Sequence, residues 1–296
     1  MTYLLALCAS FCAATGAALQ HREVAEVPEH QAGGIRLLLA SIKRPGWLLG
    51  MGVLVLAPLF QFLALKVGNL TQVQPMLTTE LLFLLGIIII THHQRPGLRE
   101  WAGAAAIVVG LTGFLTAARP HGGATTLTSP WILTLAGITA VLVITVMVVA
   151  RLTKGWVRAS LFGAMAATCF AFQAAMTKVI AGTQAGSILA SPALIGLVIG
   201  GSLGFVFFQH ALRAGHVAAS RASMVIVNPM LSMVIGVVAF EEVLDTDPVH
   251  LVLEVIGLAV LLAGAWMLAT SPMITEAEEA SPADGAGMPQ DQAIIP

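Results

Sequence analysis

Charge is what this sequence has least of. Only 10% of its 296 residues are Asp, Glu, Lys or Arg, against about 25% in an ordinary soluble domain. That shortage excludes a soluble globule, whose surface could not be covered. The net charge is -1 and no basic stretch is interleaved with aromatics, which excludes nucleic acid as a partner. Cysteine is nearly absent: Cys8, Cys12 and Cys169 all lie inside apolar runs. Neither a disulfide framework nor a CxxC metal site follows from them, and they read as small core residues. There is no Gly-x-Ser-x-Gly, no His-Glu-x-x-His and no paired intramembrane Asp, so no enzyme is expected and nothing asks for a cofactor.

What the chain has instead is apolar length, with 57% hydrophobic residues. A bilayer core of about 30 Å takes roughly 20 apolar residues per helix. Hydropathy predicts such helices near 3–20, 47–66, 71–91, 101–118, 131–150, 160–181, 193–212, 219–239 and 250–270. The expected fold is therefore an all-α polytopic membrane protein of about nine transmembrane helices. Lys and Arg near helix ends stay on the cytoplasmic side. With the N-terminus outside, that side receives Arg22, Arg36, Lys43, Arg44, Arg95, Arg99, Arg151, Lys154, Arg158, Arg213 and Arg221, eleven of the fourteen. A multi-pass protein of the cell membrane with its C-terminus cytoplasmic is the consistent reading.

Three features lie outside the helices proper. The first segment imitates a signal peptide but lacks a positive n-region, so it is expected to be retained. Residues 35–45 carry apolar residues beside Arg36, Lys43 and Arg44, the pattern of a short interfacial helix. From Ser271 onward come acidic residues with scattered Pro and Gly but no Lys or Arg, predicting a disordered cytoplasmic tail over 271–296.

Self-comparison reveals a repeat. Ala13-Ala14-Thr15 to Gln20 is echoed by Ala166-Ala167-Thr168 to Gln173, 153 residues later. Phe60-Gln61 with Ala64-Leu65-Lys66-Val67-Gly68 recurs as Phe208-Gln209 with Ala211-Leu212-Arg213-Ala214-Gly215. Val73-Gln74-Pro75-Met76-Leu77 is answered by Val227-Asn228-Pro229-Met230-Leu231. The matches pair helices 1, 2 and 3 with 6, 7 and 8. An odd offset of five turns the second half over in the membrane, so helices 1–4 and 6–9 are expected to form an inverted-topology repeat with helix 5 as linker. The chain then divides into 1–150 as first half, 151–270 as second half and the tail. Inverted halves can rock about a site near the midplane, which makes alternating access available.

Gly68-Asn69-Leu70-Thr71-Gln72-Val73-Gln74-Pro75, and Ala219-Ser220-Arg221-Ala222-Ser223 leading to Asn228-Pro229 and then Phe240-Glu241-Glu242, carry a resemblance over roughly residues 1–270. The chain resembles the drug/metabolite transporter (DMT) superfamily, the EamA-like permeases, and within it the nine-helix NIPA-like magnesium transporter branch. Glu241 stands where the family's closing Gly-Glu step has glycine. The resemblance implies a secondary transporter of a small metabolite, drug or lipid-linked molecule, or in the second case of magnesium or another divalent cation. The implied partners are a small-molecule or ion substrate and the lipid bilayer, with a homodimer as an option.

Within that frame Glu80 is the sharpest single residue, the tenth of an apolar helix. A carboxylate near the bilayer centre costs about 2.5 to 3.5 kcal/mol on insertion scales. It reads as a proton or cation site, and as the metal ligand if the cargo is a cation; the alternative is polar glue between helices. Gln74-Pro75 and Asn228-Pro229 come next, because a mid-helix proline frees a carbonyl one turn earlier and broken helices line transporter sites. The alternative is a kink that shapes packing. Gln20, Gln61, Gln173 and Gln209 are either cavity-lining carboxamides or glue. Lys178 is expected to snorkel to the outer interface, and His210 to be structural. Glu254 is expected near the outer surface with no role. Glu241, Glu242, Asp245 and Asp247 read as a solvated outer loop, or as a collector of cations at an entrance. Gly196, Gly200 and Gly204 form a surface for close helix contact.

Overall fold

The computed structural model describes residues 1–25, 45–93, 95–214 and 216–279, with backbone alone at 21–25, 92 and 277–279. The helices are α1 (Thr2–Ala25), α2 (Pro45–Val67), α3 (Leu70–Leu77), α4 (Glu80–His92), α5 (Leu98–Ala118), α6 (Ser129–Arg151), α7 (Gly155–Gly182), α8 (Pro192–Arg213), α9 (Val217–Ala239), α10 (Pro248–Ala269) and α11 (Pro272–Glu279). Among the described residues no strand forms; one isolated antiparallel bridge joins His121 to Val243. Among the described residues nine spans are long and apolar enough to cross a membrane, with α3 and α4 together making the third, Leu70–Thr91. The expected segments and these spans coincide to within a few residues.

Local chemistry sets the ends. Proline stands at or next to the first position of α2, α6, α8, α10 and α11, where its missing N–H is unneeded and its φ suits the helix. Asp247 accepts from Val249 N at 2.9 Å to start α10, and Glu100 turns back to Gly97 N at 2.9 Å to start α5.

Packing is uneven. α7 is the central column, with 67% of its span buried, whereas α6 is 17% buried and lies at the edge. Alanine, glycine and cysteine along α7, from Ala159 and Gly163 to Ala181, let neighbours approach closely. α1 packs on α2 and on the α3–α4 span, α7 packs on α8 and α9, α3 meets α9, and α5 pairs with α10. The α7–α8 contact uses the expected glycines: Gly196 and Gly200 lie against Met176 and Phe172, and Gly204 against the Phe170 ring. The α5–α10 seam is tighter. A Cβ on Gly110 would stand 2.2 Å from Leu261 N, and one on Gly264 2.7 Å from Gly103 O.

Two expectations change and one cannot be compared. Residues 272–279 of the tail are helical, with Ile274 at 1% exposure inside the main core cluster. The cause is the apolar Met273-Ile274 pair, which tucks in ahead of the acidic residues. α9 runs as one helix through Pro229, so a break follows the proline in the third span alone. The interfacial helix expected near 35–45 falls, apart from Pro45, outside the described residues.

Candidate functional site

Pro75 has no N–H to offer the Thr71 carbonyl but lies inside α3, and the third span breaks one turn later, at Thr78 and Thr79. Thr78 N donates to Pro75 O at 3.2 Å and Thr79 N to Met76 O at 3.0 Å, each three residues back, so the turn tightens to 3-10 form. The threonine hydroxyls settle on the same two carbonyls, Thr78 Oγ1 on Pro75 O and Thr79 Oγ1 on Met76 O, both at 2.7 Å. Ser10 Oγ of α1 stands 3.4 Å from Met76 O. Glu80 opens α4 directly after the break and is half-buried. Its carboxyl thus sits at the positive end of a helix dipole.

Several polar atoms beside this break are buried without a hydrogen-bond partner: Gln74 Nε2, Asn228 Oδ1 and Ser232 Oγ. Their relative depth follows from helix register. α3 leaves the face that carries Thr2 and α9 arrives at it, so the two run antiparallel. They meet where a Cβ on Gly236 would lie 3.0 Å from Thr71 Cγ2. At 1.5 Å per residue, Gln74 lies about 4.5 Å and Ser232 about 6 Å deeper than that contact, and Asn228 about 12 Å, level with Thr79. Gln74 and Ser232 therefore lie at similar depth along the α3–α9 boundary, and Asn228 lies beyond the end of α3, level with the break. Buried polar groups of this kind are ordinarily satisfied.

Above them the N-terminal face is closed by a second polar group. The Glu242 carboxylate, 2% exposed, receives Leu70 N at 2.7 Å and Thr71 N at 2.9 Å on its two oxygens, with Thr71 Oγ1 at 2.7 Å. Lys178 of α7 completes the set as an ion pair, itself 3% exposed, with its ammonium 4.6 Å from the centre of the Phe240 ring. Glu242 thereby caps α3 from the far end of the chain, where the free N–H groups and the helix dipole both favour an anion. Gly236 leaves room for it: a Cβ there would stand 2.6 Å from Glu242 Oε2. A cleft of about 160 Å³ leads down to Lys178 between Gly68, Asn69 and Gly122–Thr125.

The loops at this face are tied together. His121 and Val243 exchange backbone hydrogen bonds at 3.0 Å, Ala124 N donates to Phe240 O at 2.6 Å, and Asp245 N to Ala118 O at 3.0 Å. Gln72 Nε2 reaches Pro120 O at 2.7 Å. Glu241 has φ +55°, the left-handed region that glycine adopts freely.

Two readings of the charges are thereby corrected. Lys178 does not snorkel: its long stem stays inside because an anion waits at its tip. Glu242 is not part of a solvated loop, because the left-handed turn at Glu241 folds it back under the α9 terminus. Its neighbours Glu241 and Asp247 are exposed as expected. Asp245 accepts from Asp247 N and pairs with His250 Nδ1 at 2.7 Å. Those two hydrogen bonds hold its carboxyl below the ordinary range.

The remaining candidates are dispersed. Gln173 lies against Gly201 of α8, its amide 3.3 Å from where a Cβ would be. Gln20 reaches the Met51 sulfur at 3.6 Å. Gln61 and Gln209 are half-buried on α2 and α8. His210 is exposed and stacks on Phe162. Only Gln74 and Asn228, with Glu80 nearby, are brought to the helix break. Ser232 belongs with them and was not singled out from the sequence; its place one turn after Asn228 on the same helix was the available signal.

No protein-family model matches the chain, and no solved structure matches it either. A protein of Corynebacterium glutamicum described as uncharacterized is 25% identical over 250 residues, covering 82% of this chain and 85% of its own length.

Proposed function

We propose that this nine-span membrane protein is a secondary transporter of the drug/metabolite type, moving a small metabolite, drug or lipid-linked molecule by alternating access. The observation that carries the reading is the broken third span together with the buried, unpartnered Gln74 Nε2 of α3 and Ser232 Oγ and Asn228 Oδ1 of the adjoining α9. One side of this boundary comes from each proposed half. The packing supports an inverted repeat: α1 against α2 and the third span is matched by α7 against α8 and α9, and α5 pairs with α10. In this arrangement substrate binds between the halves, its polar groups meeting the three orphaned atoms. The Lys178–Glu242 pair closes the N-terminal face, which this reading takes as the outer one, and opening it requires α3 to part from α9. Glu80, beside the same break, is the proposed coupling residue.

The test is flux into liposomes containing the purified protein. Wild type is expected to move substrate down an imposed pH gradient, Glu80→Gln to lose the gradient dependence, and Gln74→Ala with Asn228→Ala to lose saturable uptake. Full pH-driven flux in Glu80→Gln would remove proton coupling at that residue. Uptake of magnesium in place of organic solutes would replace the reading with that of a divalent cation transporter.

A further inference from the structure

One buried ionisable group takes no part in the arrangement above. Glu254 belongs to the buried stripe of α10 formed by Glu254, Gly257, Leu261, Gly264 and Leu268, whose spacing of three and four residues makes one helix face. That face lies on α5, where a Cβ on Gly257 would be 2.5 Å from Phe114 N. Every other position of the stripe is glycine or leucine, so a carboxyl is the exception along this seam. Glu254 is 5% exposed, and its Oε1 has no hydrogen-bond partner. It lies about 9 Å along α10 from Pro248 at 1.5 Å per residue. An intramembrane carboxyl in this position is a functional group by default.

Its surroundings decide which function. The wall nearby is apolar: Leu258, one turn further on, packs with Phe114 and Ala118 of α5 and Met233 of α9. The charged groups within electrostatic reach are Asp245, from the loop before α10, and His250, one turn earlier on α10 itself. From α5 comes Arg119, which acts on Asp245. Among the described residues no cation is paired with Glu254, and Asp245 and His250 are occupied with each other. An ionised carboxylate there would forgo its hydration without compensation. A neutral acid there forgoes far less. The His250 and Asp245 side chains are 31% and 27% exposed, so the pair stands at the boundary between solution and seam. A cleft of about 330 Å³ between α5 and α10 has His250 and Thr116 among its lining with the apolar Leu253, Ile256 and Val260; Glu254 itself lies behind it in the seam.

We propose that Glu254 is a proton-binding site, loaded from the N-terminal face by way of the His250–Asp245 pair. The step is a single proton transfer. Glu254 carboxylate takes H⁺ from a hydronium ion or from the His250 imidazolium, one O–H bond forms, and water or neutral imidazole is left. The proposal stands independently of whether the chain transports anything. If it does, Glu254 supplies a coupling position distinct from Glu80.

Infrared difference spectra of the full-length protein in lipid, stepped from mildly acid to alkaline pH, test it. Wild type is expected to show a protonated-carboxyl band that titrates, Glu254→Gln to lose that band, and Glu80→Gln to keep it. His250→Gln is expected to keep the band and slow its response to a pH jump severalfold. Absence of any titrating carboxyl band in the wild type overturns the proposal even if Glu254→Gln does not fold. So does a band unchanged in Glu254→Gln, or stabilisation by magnesium that Glu254→Gln abolishes.

Discussion

Replacing Glu242 by alanine strands donors on two helices at once, α3 and α7, and the structure says how unevenly the two halves of its ion pair are supported. In Glu242→Ala the Lys178 ammonium stays inside, beside the Phe240 ring but without an anion. Leu70 N, Thr71 N and Thr71 Oγ1 also lose their acceptor. Breaking a buried pair from one side costs about 3 to 5 kcal/mol, and each orphaned donor adds about 1 kcal/mol or more. The cleft above Lys178 admits water, which offsets part of this, so about 5 kcal/mol is expected. Lys178→Met removes one of four donors and leaves the carboxylate held by three. The loss is that of one charged hydrogen bond, about 2 to 3 kcal/mol. The double variant no longer strands an ammonium and is expected to cost about 2 kcal/mol less than the sum of the single ones. At about 2 °C per kcal/mol for a chain of this size, thermal unfolding in detergent should fall by roughly 10 °C for Glu242→Ala and about 5 °C for Lys178→Met. Equal losses in the two single variants, or strict additivity in the double, would refute the reasoning.

Other outcomes follow from single contacts. Gly110→Ala drives a methyl to 2.2 Å from Leu261 N, where backbone cannot yield, so it is expected to separate α5 from α10 and cost about 2 to 3 kcal/mol, read as a lower melting temperature. Glu241→Gly relieves the left-handed φ of +55° and is expected to be neutral or stabilising by up to about 1 kcal/mol. Asp245 has its carboxyl held below the ordinary range by Asp247 N and His250. Its contribution is therefore present above the unfolded-state range and lost as pH falls through the lower folded value. Hydrogen exchange at residues 243–247 should rise on acidification in wild type, and Asp245→Asn should exchange fast at neutral pH already.

How much of this could be read from the sequence depends on the length scale of the force involved. Each span is set by its own roughly twenty residues and the bilayer thickness, so all nine could be placed from hydropathy. Gln74-Pro75 marked the region of the break but not its place, since α3 runs through Pro75 and ends a turn later. Pro229 shows the limit, because α9 continues through it where local chemistry alone predicts a break. The Lys178–Glu242 pair could not be seen: the partners are 64 residues apart, and Glu242 sits among Glu241, Asp245 and Asp247, which as a string looks like a wet loop. The left-handed turn that buries it is a property of the backbone. Likewise Met273-Ile274 is too short an apolar pair to announce itself against the acidic residues that follow it.

The cap on α3 also sets a timetable. Leu70 N and Thr71 N are completed by a carboxylate 172 and 171 residues further along the chain. At synthesis rates of about 5 to 20 residues per second, the third span waits roughly 10 to 35 s for that residue to be made. Throughout that interval two backbone donors at the head of a membrane helix have no partner from their own half. The first five spans can enter the bilayer as they emerge, but the third cannot be finished until the eighth has arrived. Assembly of this chain is thus gated from its C-terminal half backwards, and a truncation before Glu242 should leave the third span open to solvent at its N-terminal end however well the earlier helices insert.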